Sequence, residues 1–201
     1  MKKYNIIILF LIAINLQAQN KKNDTSILHK AEFKIGYFGN FIWDNGINIG
    51  MEYPWLERTK NKKSRRKEKE ILKQVLFNAN IGYKTNFLTK TDNGGSTYFG
   101  LIWRRTNPKG KQLSFELNPL GYYRSFLPET YRVEGNRVSK VTLPGRSYYS
   151  PSFAIGIGKI RKGKSRSGWY LNLQYALRTP FNASTMPILS VQYGYRFKLK
   201  K

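Results

Sequence analysis

Apolar and polar residues alternate with a period of two along most of this chain, and nothing else in the sequence limits its fold as strongly. Leu171, Leu173, Tyr175 and Leu177 are separated by Asn172, Gln174, Ala176 and Arg178. Successive side chains of a β-strand point to opposite faces, so this stretch has one apolar and one polar face. Leu189, Val191, Tyr193, Tyr195, Phe197 and Leu199 repeat the pattern against Ser190, Gln192, Gly194, Arg196 and Lys198. Six further segments alternate in the same way: Phe33/Ile35/Tyr37/Phe41, Ile47/Ile49/Met51/Tyr53/Trp55, Val75/Phe77/Ile81/Tyr83, Phe99/Leu101/Trp103, Leu113/Phe115/Leu117 and Phe153/Ile155/Ile157. The pattern predicts eight antiparallel strands, each approaching the roughly 9–11 residues that a tilted membrane-crossing strand requires.

Turn signals set the expected register. Asn107-Pro108-Lys109-Gly110 suits a type I turn with Gly110 left-handed. Trp103 then lies opposite Phe115 and Leu101 opposite Leu117, all on the apolar face; a slip of one residue would set apolar against polar. Asp92-Asn93-Gly94, read as a short loop, places Phe87 opposite Phe99 and Tyr83 opposite Trp103. Asn118-Pro119-Leu120-Gly121 is another turn signal, and if it is a turn the strand count rises to ten. In 127–147 a hairpin is expected around Glu134-Gly135-Asn136-Arg137. The run 57–70, ERTKNKKSRRKEKE, reads as a solvated loop or frayed polar helix. Its functional reading is an arm for lipid phosphates or a polyanion.

The N-terminus determines which partners are open to a chain of formal net charge +25. Lys2 and Lys3 precede an unbroken apolar run, Ile6 to Ile14, and Ala18 follows. A membrane-spanning helix needs about 20 apolar residues, so the run is too short to anchor the chain. It has the parts of a secretory signal in order. The expected division is a signal peptide over 1–18, a short N-terminal segment over 19–30 and one strand-built domain over 31–201. No later stretch is long and apolar enough for a transmembrane helix, which excludes a helical membrane protein. Such a basic chain first suggests nucleic acid, but export removes that partner. The absence of cysteine excludes disulfides, thiolate metal sites and cysteine nucleophiles.

The polar face carries charge in mid-strand at Glu52, Lys84, Arg104, Glu116, Arg178 and Arg196, and room-making glycines at Gly36, Gly50, Gly82, Gly100, Gly156, Gly158 and Gly194. A soluble barrel turns its apolar face inward, whereas an outer-membrane barrel turns its polar face inward. Eight strands leave an interior just filled by side chains. Glu52, Arg104, Glu116, Arg178 and Arg196 are accordingly expected to pair across the lumen. Trp55, Trp103 and Trp169 fall toward one end of their strands and Trp43 toward the other, the distribution of an aromatic girdle.

The final strand, Gln192-Tyr193-Gly194-Tyr195-Arg196-Phe197-Lys198-Leu199, resembles the β-signal of outer-membrane barrel proteins. That pattern is polar, any, Gly, hydrophobic, any, hydrophobic, any, hydrophobic, and here Gln192, Gly194, Tyr195, Phe197 and Leu199 fill it. The family usually ends on the aromatic residue, whereas Lys198-Leu199-Lys200-Lys201 follow Phe197 here. The resemblance implies recognition by the barrel-assembly machinery and residence in the cell outer membrane, in contact with its lipids. The fold expected is an all-β, antiparallel up-and-down transmembrane β-barrel, as a monomer.

Little in the sequence points to chemistry. The single histidine, His29, precedes the first strand, away from any lumen, which argues against histidine catalysis or a histidine metal site. No Gly-x-Ser-x-Gly elbow or phosphate loop is present. No catalytic, cofactor or metal site is therefore expected. Three functions are open: a non-enzymatic outer-membrane barrel with a structural, surface-interaction or ligand-binding role and no open pore; a lipid-modifying enzyme embedded in the membrane; and a soluble periplasmic barrel enclosing an apolar ligand.

Overall fold

The computed structural model describes residues 27–40, 44–64, 67–86, 93–135, 137–142, 144–161, 167–182 and 184–198. A single helical turn, α1 (Ile27–Lys30), leads into β1 (Glu32–Gly39), β2 (Asp44–Ser64), β3 (Lys67–Asn86), β4 (Asn93–Thr106) and β5 (Lys111–Phe126). The chain continues through β6 (Tyr131–Glu134), β7 (Arg137–Lys140), β8 (Ser147–Tyr149), β9 (Ser152–Ile160), β10 (Gly168–Phe181) and β11 (Ser184–Lys198). The expected signal peptide, 1–18, together with Phe41, Trp43 and Leu199, lies outside the described residues.

Each strand pairs antiparallel with its neighbours, and the first pairs with the last. β1 and β11 run from Glu32↔Lys198 to Gly39↔Val191, which closes the sheet on itself. β8 and β9 share the position between β5 and β10, so the ring has eight places. These places hold the eight alternating segments of the sequence. β6 and β7 form a separate two-stranded sheet around Gly135, whose φ is +60°. The rim holding the start of β1 and the end of β11 is called the terminal rim below, and the opposite one, nearest β6 and β7, the hairpin rim. Among the described residues no helix is long and apolar enough to cross a membrane.

The Asn107–Gly110 turn forms as the sequence predicts. Asn107 N donates to Lys111 O at 2.9 Å, Gly110 has φ +78°, and Trp103 pairs with Phe115 and Leu101 with Leu117. The preceding hairpin differs. Tyr83 pairs with Gly95 and Trp103 with Val75, because β4 already begins at Asn93. The error is an even displacement (Trp103 against Gly95), which keeps every side chain on its own face, so alternation alone could not detect it.

Asn118-Pro119-Leu120-Gly121 is not a turn, and the ten-strand alternative falls with it. β5 runs straight through, and its pairing with β4 shifts between Phe99↔Leu120 and Leu101↔Leu117. One residue of β4, Gly100, faces two of β5, Asn118 and Pro119. The other register shifts fall between Pro54 and Leu56, and between Arg178 and Phe181, around Pro180. Every shift in the ring thus contains a proline. Proline has no N–H to give to a ladder, so a bulge is where a strand tolerates it. On β5 the bulge also switches phase: Gln112, Ser114, Glu116 and Asn118 are buried before it, and Gly121, Tyr123 and Ser125 after it.

The described residues of 57–70 form neither loop nor helix. β2 and β3 continue through them with unbroken pairing, from Glu57↔Gln74 to Ser64↔Lys67.

Candidate functional site

The buried face of the ring is the polar one. Glu32, Lys34, Asn48, Glu52, Gln74, Asn78, Asn80, Arg104, Glu116, Asn172, Gln174, Gln192 and Arg196 are all buried. The apolar partners of the same strands are exposed: Leu117 is 61% accessible, Ile81 65% and Leu189 60%. Alternation fixes which residues share a face; closure of the ring fixes which face is enclosed.

The densest part of the enclosed face is an ionic cluster nearer the terminal rim. Glu52, on β2, sits at its centre. Arg104, on β4, donates from Nη1 to Glu32 Oε2 at 2.7 Å and from Nη2 to Glu52. Arg196, on β11, donates from Nε to the other Glu52 oxygen at 3.2 Å, and Lys34 Nζ lies 3.4 Å from that oxygen. Lys34 also approaches Glu116 Oε2 at 3.8 Å. Glu116 accepts from Asn78 Nδ2 at 2.6 Å and from Asn118 Nδ2 at 2.8 Å. Lys198 Nζ stands 3.5 Å from Glu32 Oε1. Tyr170 packs against the cluster, with Arg196 Cζ 4.7 Å and Lys34 Nζ 5.9 Å from its ring centre. Its hydroxyl donates to Asn48 Oδ1 at 3.1 Å.

The charged groups come from five strands spread around the ring, which is why the cluster ties the ring together across its bore. Removing a charge from water costs several kcal/mol unless an opposite charge and hydrogen bonds replace the solvent. Here the carboxylates of Glu32, Glu52 and Glu116 face Lys34, Arg104 and Arg196. Glycine makes the space. A Cβ on Gly50 would stand 2.7 Å from Lys34 Cε and 2.1 Å from Asn80 Oδ1.

A second group lies toward the hairpin rim. Lys84 Nζ meets Asp44 Oδ2 at 2.5 Å and lies 5.4 Å from the Tyr123 ring centre, while Arg178 Cζ lies 3.5 Å over the same ring. Between the two groups, Phe38, Asn48, Asn80, Gly82, Ser96, Tyr98 and Gln192 leave no room for a water molecule. At the terminal rim a cleft of about 340 Å³ opens among Glu32, Glu70, Gln74, Thr106, Gln112 and Arg161. The interior thus has a cleft at the terminal rim and close packing between the two charged groups.

Of the residues expected to pair in the lumen, Glu52, Arg104, Glu116 and Arg196 meet in one cluster, and Arg178 stands apart over Tyr123. Sequence reasoning missed Glu32 and Lys34. Both alternate with Phe33 and Ile35, in the opposite phase to that apolar pair, and that is the signal that could have found them. Of the tryptophans, Trp55, Trp103 and Trp169 lie on the outer side, where Trp55 stacks on Phe77 and Trp103 packs against Phe115. Within the terminal strand motif, Gln192 and Gly194 face inward and Tyr195 and Phe197 outward. Among the described residues no group of three or more His, Cys, Asp or Glu side chains is placed to hold a metal ion.

Comparison with known protein families, characterised proteins and solved structures finds no match for this chain.

Proposed function

We propose that this chain is a β-barrel of the bacterial outer membrane, exported by residues 1–18 and resident as a monomer in contact with outer-membrane lipid. Its role is structural or one of surface interaction, without an open pore and without catalysis. The observation that carries the proposal is the distribution of polarity. Ion pairs fill the enclosed face, and an almost continuous apolar surface, including Leu101, Phe115, Leu117, Ile155, Leu173 and Tyr195, faces out. Soluble proteins seldom leave contiguous apolar patches larger than a few hundred Å² in water. Hydrocarbon is the solvent such a surface fits, and closing the ring satisfies the backbone groups that hydrocarbon could not.

The packed waist between the two charged groups argues against conduction, and a soluble barrel holding an apolar ligand would need the opposite interior. The outward Trp55, Trp103 and Trp169 suit the interfacial girdle of such a barrel. β11, with Tyr195 and Phe197 outward, is the strand we assign to the barrel-assembly machinery. The hairpin of β6 and β7 is the surface we assign to encounters outside the cell.

Fractionation of the native protein tests the proposal. It should sediment with outer membranes and run faster on a gel when unheated than when boiled. Protease added to whole cells should cut within residues 127–147. Recovery of the signal-cleaved protein in the soluble periplasmic fraction would refute it. Unchanged lipid A mass spectra in a deletion strain are expected if the chain performs no lipid chemistry.

A further inference from the structure

Near the Pro54–Leu56 shift β2 parts from β1, and a few residues further on β3 parts from β4. β1 pairs with β2 only as far as Glu52, and β4 pairs with β3 only as far as Leu72. What continues is a two-stranded ribbon at the terminal rim with its charges sorted by face. Directly paired residues share a face and neighbours along a strand do not. Gln74 is buried in the interior, so its partner Glu57 shares the inner face and donor and acceptor meet, Gln74 Nε2 to Glu57 Oε1 at 2.6 Å. Glu70 belongs to the same side: it lines the terminal cleft with Glu32 and Gln74.

Arg58, its partner Lys73, and Lys60 fall on the other face. That face continues the outer apolar surface through Leu56 and Val75, which pair with each other directly before it. Around the rim the pattern repeats. Arg105 pairs with the half-buried Lys73, and Lys111 pairs with Lys159; Arg105, Lys111 and Lys159 are exposed, and all four are out of phase with a buried neighbour. Among the described residues no carboxylate lies on this outward row.

We infer that Arg58, Lys60, Lys73, Arg105, Lys111 and Lys159 form a collar for the phosphates of anionic phospholipid in the leaflet at the terminal rim. The inference rests on the membrane reading above. Charge complementarity and position select the occupant. A lipid leaflet presents hydrocarbon and, directly beyond it, anionic phosphate. The protein presents Trp103, Leu56 and Leu113 and, directly beyond them, an unopposed row of cations. A soluble polyanion would match the cations and leave the adjoining apolar surface without purpose. The sorting of Glu57 and Glu70 to the inner face keeps the lipid-side field of one sign.

The test uses the full mature chain in lipid nanodiscs, which leave both rims open, made from phosphatidylcholine alone or with phosphatidylglycerol added. Limited trypsin cleavage within 58–73 is read against cleavage at Arg132 and Arg137 in the hairpin on the same particles. Phosphatidylglycerol should slow ribbon cleavage, relative to the hairpin, by about tenfold, since each cation near an anionic surface adds to the attraction. About 0.5 M salt should restore it, because screening at that strength shortens the reach of surface charge to a few Å. The combined substitution Arg58→Gln, Lys60→Gln and Lys73→Gln should abolish the lipid dependence at the remaining sites, while Thr59→Gln, on the inner face, should preserve it. Equal ribbon cleavage in both lipids, with the heat-dependent gel shift intact, would overturn the collar and leave the barrel standing. Protection by dissolved polyphosphate in phosphatidylcholine alone would overturn it in favour of a polyanion site. Absence of the gel shift in both lipids would overturn the membrane reading and the collar with it.

Discussion

Two regions of this protein are rich in arginine and lysine and use them in opposite ways. In the interior, Lys34, Arg104 and Arg196 each face a carboxylate within 4 Å. On the outer terminal rim, Arg58, Lys60, Lys73, Arg105, Lys111 and Lys159 share a surface with no described carboxylate. The difference teaches how burial decides the fate of a charge. An enclosed cation must bring its counter-ion from the same chain, because nothing else can reach it. An exposed one keeps water, and is free to take its counter-ion from outside.

The contrast implies unequal sensitivities. Arg104→Leu should have the largest effect, since it strands Glu32 and Glu52 in the bore. Removing one member of a buried ionic group costs about 3–5 kcal/mol, and urea unfolding of the lipid-inserted protein would register it. A loss below about 1 kcal/mol would mean that water reaches the cluster and that the two regions differ less than their burial implies. Next is Leu117→Arg on the outer face at mid-strand, with an expected cost of about 2–4 kcal/mol if that face lies in hydrocarbon. In water the same change would stay within about 0.5 kcal/mol. Lys111→Gln on the rim should shift stability by less than about 1 kcal/mol, as isolated surface charges do; a larger loss in the same unfolding measurement would reveal an inner partner.

The smallest effect concerns the hairpin, where an exposed pair stands between the two extremes. Lys140, donating to Glu129, and Tyr131, at 3.1 Å, hold the Glu129 carboxyl below the usual carboxylate range. A carboxyl lowered in the folded state contributes above its unfolded pKa and loses that contribution as pH falls through the lowered one. Amide protection in β6 and β7, taken relative to the exchange of the free chain at each pH, should therefore be constant at neutral pH and fall only on the acid side of the ordinary Glu range. A Glu129 titration at the ordinary value would show that the contact does not form in solution.

Much of this was legible in the residues, and the misses have physical causes. The ring could be read wherever strands keep one phase, as in Leu171–Leu177 and Leu189–Phe197, since a half-buried strand writes its faces as alternation. It failed at Pro119, where a bulge puts two successive residues outward and imitates a turn. It failed again between β3 and β4, where Asn93 and Gly94 of the expected turn fall inside the start of β4. The interior cluster was half legible. Mid-strand charges announced Glu52, Arg104, Glu116 and Arg196, but Glu32 and Lys34 sit at the edge of β1, where a charge looks like the end of a strand. The hairpin character of 57–70 was hidden, because a charge-rich run carries no apolar face to reveal its period.

In an outer-membrane barrel the outward apolar face must meet lipid. The chain contains no cysteine, so single cysteines report without background. Spin labels at Leu117→Cys and Ile155→Cys, compared with Ser114→Cys and Ala154→Cys, give oxygen accessibility against that of a water-soluble nickel reagent in membranes of the native composition. Labels at 117 and 155 should see oxygen and exclude nickel, and those at 114 and 154 should be shielded from both. Ready access of nickel to 117 and 155 would put that face in water and contradict the assignment.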